Sequence, residues 1–124
     1  MSAPLDSASL ADRVEEYGPI AHLVTVSAGG VPHVVSVRVD RRDGDFVVGA
    51  GRHTAANAAE RPGVTLLWAA PAGWHYSLIV DGTARPLPAA EPPALAVTPT
   101  RAVLHRTPEG DPSAPSCITV LPSS

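Results

Sequence analysis

The residues with the clearest chemical potential lie at 48–68, where a strand pattern runs through small residues into a helix pattern. The small and polar residues at this junction are Gly49, Ala50, Gly51, Arg52, His53, Thr54 and Asn57. A helix N-terminus presents unpaired backbone N–H groups and a partial positive charge, which together favour a bound phosphate. We therefore predict a phosphate-binding corner at this junction, with Thr54 as the N-cap of a short helix over 55–60.

Composition and charge narrow the classes of protein to which the chain can belong. The 124 residues carry a formal net charge of −3 without a basic block, which argues against nucleic acid or an anionic membrane as the main partner. Hydrophobic residues make up 44% and aromatic residues only 4%, so we expect one domain, 1–124, with an aliphatic core. The longest apolar run, 64–70, is too short to span a bilayer, and the N-terminus lacks a signal-peptide pattern. These features predict a cytoplasmic protein with no membrane partner.

Cysteine and histidine do not form a metal-binding pattern. Cys117 is the only cysteine, and we expect it to be a small core residue rather than a nucleophile. The five histidines are scattered without the spacing of metal ligands, so no metal site is predicted. No side chain stands out as a general acid or base, and we assign no catalytic residue.

Hydrophobic periodicity indicates a mainly β protein. A helix pattern at Leu10–Tyr17 precedes two β-branched runs that a turn at 28–30 joins into a hairpin, and four or five further strand patterns follow. In the second run Val35, Val37 and Val39 face one side, and the residues between them face the other. Six or seven short antiparallel strands with one or two short helices predict a split β-barrel.

The prolines divide the chain into segments. Nine of the fourteen lie at or after Pro86, and a proline removes a ladder donor, which confines it to edges, strand starts and bulges. We therefore predict an N-terminal helical segment at 1–18, a core at 20–86, and a proline-rich part at 87–124 with short edge strands. Gly82 interrupts the fifth strand and predicts a bulge or a close backbone approach.

Three segments, read in order, carry a resemblance to a known family: GGVPHVVSVRV, FVVGAGRHTAANAAERPGVTLLW and VDGTA. Over 20–86 the chain resembles the pyridoxamine 5'-phosphate oxidase-like proteins, which are FMN-binding split barrels. The resemblance implies a homodimer with two FMN sites at the subunit interface.

The resemblance also assigns cofactor binding to particular residues. Arg38 matches a lysine that lies beside the FMN phosphate, and its forked guanidinium suits phosphate oxygens. Ser77 stands where the family has a polar group that reaches the flavin ring from the partner chain. The residues that we expect to bind the cofactor are Val35, Ser36, Val37, Arg38, Gly49, Ala50, Arg52, His53, Thr54, Asn57 and Ser77.

Two departures from the family pattern bear on function. His53 and Thr54 stand where the family has an Arg-Lys pair, and Arg52 is the nearest residue that could compensate. The tail of the chain lacks the basic and aromatic residues with which the family's oxidases bind pyridoxal phosphate. Oxidation of vitamin B6 is therefore not expected.

The expected function is an FMN-dependent oxidoreductase with an unidentified small-molecule substrate. An F420-dependent reductase of the same fold is an alternative, because relatives from high-GC actinobacteria often bind that deazaflavin. A non-catalytic barrel that binds flavin or haem, or no cofactor, is a second alternative, which the altered Arg-Lys pair favours. In a purely structural interpretation, Arg38 and Arg52 are solvated, Thr54 only caps a helix, and the glycines only allow a turn.

Trp68, Trp74 and Tyr76 flank the predicted turn between the fourth and fifth strands. Their amphipathic rings suit the dimer interface and pocket mouth of the family, or an apolar cluster beneath a loop.

Overall fold

Two helices and seven strands follow one another in the computed structural model, which describes residues 7–88, 90 and 92–123. The helices are α1 (Ser7–Tyr17) and α2 (Arg52–Glu60). The strands are β1 (Ile20–Val26), β2 (Pro32–Arg42), β3 (Asp45–Gly49), β4 (Gly63–Trp68), β5 (Tyr76–Leu87), β6 (Ala94–Arg106) and β7 (Cys117–Leu121). Of the predicted segments 1–18 and 87–124, positions 1–6, 89, 91 and 124 lie outside the described residues.

The strands form one antiparallel sheet that closes on itself. Their order is β3-β2-β1-β4-β5-β6-β7, and an additional pairing of β3 with β6 closes six of them into a barrel. The 13 residues of β6 make this closure possible, because its first half pairs with β3 and its second half pairs with β7. The predicted mainly β split barrel with two short helices is confirmed.

The core fills the barrel through alternation along most strands, whereas β6 is buried on both faces at 95–97 and 102–104. Val37 and Val39 of β2 are buried, whereas Ser36, Arg38 and Asp40 between them are exposed, as predicted. The other strands contribute mainly aliphatic side chains in the same way, and Phe46 packs edge to face against Trp68 with ring centroids 5.9 Å apart. Each alternating strand therefore has an inner face that is fixed by the core and an outer face that is free to serve other purposes.

β5 and β6 change register at Gly82, where the sequence predicted a bulge or close approach. Gly82 pairs with Pro99 while Asp81 pairs with Arg101, so Thr100 is the extra residue of a bulge. A Cβ on Gly82 would lie 2.6 Å from Val97 Cγ1 and 2.7 Å from the Thr98 carbonyl oxygen, so both predictions for this glycine are confirmed.

The prediction that the proline-rich part holds only short strands is wrong. β6 is the longest strand of the barrel, and Pro99 lies in its middle. The proline is tolerated because it sits at the bulge, where the ladder is irregular and a missing N–H costs little.

A polar triad ties the closing strands β3, β5 and β6 together. Arg85 Nη2 donates to Asp45 Oδ2 at 2.9 Å, and the Thr98 hydroxyl donates to Asp45 Oδ1 at 2.9 Å. These hydrogen bonds from Arg85 and Thr98 lower the pKa of Asp45 below its ordinary value. The carboxylate therefore remains charged and holds the seam of the barrel.

The two helices pack at opposite ends of the barrel. At one end, Trp68 Nε1 donates to the Gly18 carbonyl at 2.9 Å and the Tyr17 hydroxyl donates to the Tyr76 carbonyl at 2.6 Å, which fixes the end of α1. Burial raises the pKa of Tyr17. At the other end, α2 is bound to the last residues of β1.

Trp68, Trp74 and Tyr76 do not form one cluster. Trp68 is buried inside the barrel, whereas Trp74 is 43% exposed and packs edge to face against Tyr17 with ring centroids 5.0 Å apart. The Tyr76 hydroxyl turns to the Pro115 carbonyl at 2.7 Å. Alternation explains the division, since Trp68 ends β4 on the inner face and Trp74 belongs to the following turn.

Cys117 is exposed, so the prediction of a small core residue is wrong. It begins the edge strand β7, in which Val120 points inward and is fully buried. Cys117 and Thr119 alternate with the inward residues and therefore face outward.

Replacement of Gly82 tests the close approach at the bulge. We expect Gly82→Ala to lower the free energy of unfolding by about 1–3 kcal/mol, because the added methyl overlaps Val97 and the backbone of Thr98. Gly63→Ala is the matched control, since a Cβ at Gly63 meets nothing within 4 Å and its effect is expected within about 1 kcal/mol. Urea denaturation measures both, and equal stabilities of the two variants would contradict the packing at the bulge.

Candidate functional site

One edge of β2 is open over its N-terminal half. On one side β2 pairs with β1 over 32–38, whereas on the other side β3 pairs only with 39–42. The difference follows from length, because β2 has 11 residues and β3 has five. Within the part of the chain that the structure describes, no strand pairs with the second side of 32–38.

Backbone polar groups point out of this open edge. The Val39 N–H donates to the Pro19 carbonyl at 2.7 Å, so the backbone groups of Val39 face β1. Successive residues of a strand turn their N–H and C=O groups to opposite sides, so Val34 and Ser36 turn theirs to the open edge, whereas those of Arg38 point toward the end of β3. The edge thus offers a row of donors and acceptors that no neighbouring strand takes up.

The predicted binding residues of β2 fall into two groups. The side chains of Ser36 and Arg38 are exposed on the outer face. The Val37 side chain is buried, and Val35 is half-buried and packs against the core. The backbone groups of Val35 and Val37 face β1, as those of Val39 do, so these two residues shape the site only by positioning Ser36 and Arg38.

Helix α2 begins at Arg52, so the predictions of a helix over 55–60 and of Thr54 as its N-cap are wrong. Gly51 is the N-cap, with φ −70° and ψ 174°, and no side chain accepts the first-turn N–H groups. Thr54 and Ala58 lie one turn apart on the face that packs against the barrel, and the Thr54 side chain is only 3% exposed. The first turn therefore keeps its unpaired N–H groups, which favour an anion.

Arg38 and the start of α2 belong to the same corner. The register of β2 and β3 pairs Val39 with Val48, and continuing it by one residue sets Arg38 opposite Gly49. Gly49 and Gly51 are exposed, and a Cβ on either would meet nothing within 4 Å. Open space therefore adjoins the backbone where β3 gives way to α2.

The arginine side chains at this corner have no hydrogen-bonding or ion-pair partner among the described residues. Three arginines form no hydrogen bond or ion pair with any described residue, namely Arg38, Arg42 and Arg52. Arg42 ends β2 at the turn to β3, away from the corner. Arg38 and Arg52 are thus two free cations on either side of the junction, and His53 beside them is also exposed.

Asn57 and Ala50 lie at the corner but are held by the protein itself. Asn57 Nδ2 donates to the fully buried Thr25 hydroxyl at 3.2 Å, which fastens the middle of α2 to β1. Arg61 Nε continues this attachment by donating to the Val26 carbonyl at 2.7 Å. The Ala50 N–H donates to the Pro93 carbonyl at 3.0 Å. These contacts fix the position of the corner.

Ser77 lies apart from the other predicted residues within one chain. It is on β5, which β1 and β4 separate from β2 in the sheet. Its Oγ accepts a hydrogen bond from the Ala70 N–H at 3.0 Å. Any contact of Ser77 with a cofactor at this corner would therefore require a second chain, as the resemblance implies.

Two features of the corner were missed by the sequence reasoning. The open edge of β2 follows from the two-residue turn at Asp43 and Gly44, which fixes where β3 starts and leaves 32–38 uncovered. Gly51 as N-cap could have been found from the helix propensity of 52–60, which no residue interrupts.

No three His, Cys, Asp or Glu side chains of the described residues are grouped for a metal ion. None of the described helices is long and apolar enough to cross a membrane.

Solved structures share this architecture. A Clostridium acetobutylicum protein related to general stress protein 26, of the pyridoxinephosphate oxidase family, superposes with a TM-score of 0.67 at 16% identity, covering 94% of this chain and 96% of that one. A heme-binding protein from Mycobacterium smegmatis gives 0.65 at 14% identity, covering 95% of this chain and 60% of that one. An F420 reductase gives 0.57 at 20% identity, covering 69% and 90%. At these identities the likeness shows the fold.

The barrel has the fold of solved proteins from the pyridoxinephosphate oxidase family. No protein-family model matches the sequence. The chain is 36% identical over 129 residues to two proteins, Mb0449c of Mycobacterium bovis and MT0457 of Mycobacterium tuberculosis, covering 92% of this chain and 90% of each. It therefore belongs to the same family as these two uncharacterized mycobacterial proteins.

Proposed function

We propose that the protein is an FMN-binding oxidoreductase that acts on a small-molecule substrate in the cytoplasm. The observation that carries this proposal is the coincidence of three features at one corner. An open strand edge, an uncapped helix N-terminus and two unpaired arginines meet where β3 gives way to α2. A flavin mononucleotide combines a flat polar heterocycle with a doubly charged phosphate, so it needs each of these features.

The residues of the corner fit the two parts of the cofactor separately. The guanidinium groups of Arg38 and Arg52 and the first-turn N–H groups of α2 suit the phosphate. The backbone N–H and C=O groups of Ser36 on the open edge suit the hydrogen-bonding edge of the ring. Open space beside Gly49 lets a ligand approach the main chain. Bound FMN would supply hydride or electron transfer, while the protein supplies binding and orientation.

An F420-dependent reductase is the second candidate function. The two similar proteins are mycobacterial, and a solved F420 reductase shares the fold at 20% identity. His53 and Thr54 stand in place of the family's Arg-Lys pair, which leaves fewer positive charges for a phosphate and favours instead a non-catalytic barrel. Haem is a third possibility, because a heme-binding protein also has this fold.

Cofactor titration with matched variants tests the proposal. We expect the purified protein to bind added FMN and to quench the fluorescence of that flavin. The double variant Arg38→Ala, Arg52→Ala should weaken FMN binding by about 2 kcal/mol or more, roughly 30-fold in Kd. The control double variant Arg13→Ala, Arg42→Ala removes the same charge from exposed positions elsewhere and is expected to bind as the wild type does.

Two outcomes would contradict the FMN assignment. The first is tight binding of F420, or a Soret band after haem addition, without FMN binding, which would select the corresponding alternative. The second is FMN binding that both double variants reduce equally, because that result would mean only a general effect of net charge.

We also propose that two copies associate through the outer face of β1 and β2. Of the large hydrophobic side chains that the structure describes as exposed, Ile20, Val31 and Val34 lie here, with exposures of 55%, 62% and 55%. Val34 pairs with Val24, and the next pair on the same face is Val26 with Pro32, whereas the β4 partner of Val24 is the polar Thr65. A contiguous apolar face of this kind is typical of an interface. A dimer would also bring Ser77 of a second chain within reach of the cofactor.

The dimer proposal is tested by mass in solution. We expect the wild type to have about twice the 12.7 kDa chain mass by light scattering, and Val34→Glu to have the mass of one chain because it buries a charge in the interface. Thr119→Glu, on exposed β7, is the control and should leave the mass unchanged. A monomeric wild type, or a dimeric Val34→Glu variant, would contradict this interface.

A further inference from the structure

A depression of about 370 Å³ lies at the end of the barrel that carries α1, beside the loop 107–116. It is bordered by Ser77, His105, Arg106, Thr107 and Gly110, together with two prolines. Ser77 and His105 are direct partners in the ladder of β5 and β6, so their side chains stand next to each other on the outer face. The depression is of the size that small ligands occupy.

The loop that forms its rim is held in place by the main chain. The Thr107 N–H donates to the His75 carbonyl at 2.8 Å, and the Gly110 N–H donates to the Thr107 carbonyl at 2.9 Å. A Cβ on Gly110 would lie 2.6 Å from Arg106 Cγ, so only glycine lets the loop pass so close to that side chain. The rim is therefore formed before any ligand arrives, which lowers the entropic cost of binding.

The polar side chains that line the depression have donors to spare. The guanidinium of Arg106 uses only Nη1, which donates to the carbonyls of Pro112 and Ala114. Its Nε and Nη2 have no acceptor among the described residues. Ser77 Oγ accepts from the Ala70 N–H at 3.0 Å, so its own proton is available to a ligand.

The hydroxyl of Thr107 gives a second, independent indication of a ligand. It is buried and has no hydrogen-bond partner among the described residues, although Thr107 borders the depression. A buried hydroxyl without a partner is unfavourable, and native structures contain few of them. An acceptor atom placed in the depression would satisfy it after a rotation of the side chain.

No carboxylate lies among the described residues that line the depression. The loop carries Glu109 and Asp111 outside this lining, and Asp111 Oδ1 accepts from the N–H and the hydroxyl of Ser113. The available side chains are thus hydroxyls, an imidazole and a guanidinium, all of which can donate. Such a set favours an anionic oxygen ligand over a cation.

We propose that this depression is a binding site for a small oxyanion, either a carboxylate or an inorganic phosphate. Arg106 would provide the charge, while the hydroxyls of Thr107 and Ser77 and the imidazole of His105 would provide hydrogen bonds. The site shares Ser77 with the flavin proposal, in which that residue comes from a second chain, but it needs no bound flavin and uses only the contacts of one chain.

Nuclear magnetic resonance on the full chain tests this site. Inorganic phosphate and succinate are titrated separately into the isotope-labelled double variant Arg38→Ala, Arg52→Ala, in which the other predicted anion corner is disabled. We expect at least one of them to cause saturable shifts confined to the amides of Ser77 and 105–110. Shifts with succinate alone identify a carboxylate site, and shifts with phosphate alone identify a phosphate site.

Thr107→Val separates ligand binding from folding. It keeps the shape of the side chain and removes the hydroxyl, so we expect at least a fivefold weaker affinity with a Tm that is unchanged or higher. Asp111→Asn is the control, and its affinity should be equal or tighter because it removes a negative charge from the same loop. The proposal is overturned if neither anion gives saturable shifts, if the shifts lie elsewhere, or if Thr107→Val binds as well as its parent.

Discussion

The tight turn at Asp43 and Gly44 is the constraint on which the rest of the structure depends. Both residues have positive φ, +53° and +86°, which matches the right-handed twist of a two-residue hairpin and fixes Asp45 opposite Arg42. From that start β3 runs for only five residues and ends at Gly49, so the first half of β2 is left without a neighbour on the side away from β1. The barrel then closes through the pairing of β3 with the long strand β6. One side of 32–38 stays uncovered by this closure.

The opening and the start of α2 are two results of the same short strand. Because β3 stops at Gly49, the chain turns inward, and α2 begins at once with Gly51 as a cap that offers no side-chain oxygen. The contact of Asn57 with Thr25 then fixes the helix on the end of the barrel. An open strand edge and an uncapped helix end thus lie together, with Arg38 and Arg52 unpaired beside them. The fold places hydrogen-bonding groups and positive charge where a flavin phosphate and ring require them.

Much of this architecture follows from local patterns in the sequence. The alternation of Val35, Val37 and Val39 with polar residues predicted which face of β2 is buried, and Gly82 predicted the bulge, because both signals depend on neighbours within a few residues. The outcome at Cys117 and Trp68 depended instead on which set of alternating residues faces the core, and in β4 and β7 apolar residues occupy both sets. Thr54 was mistaken for a cap because a capping side chain and a buried one look alike until the packing of α2 is known.

The most direct test of the account is to map FMN binding on the backbone amides of the full protein by nuclear magnetic resonance. We expect FMN to shift the amide resonances of Ser36 on the open edge, of Arg38 beside it, and of 52–54 at the start of α2. The chemical shifts of the amides of 94–97, which pair with β3, should not change. Shifts that leave both the open edge and the start of α2 unchanged would contradict the assignment of this corner as the cofactor site.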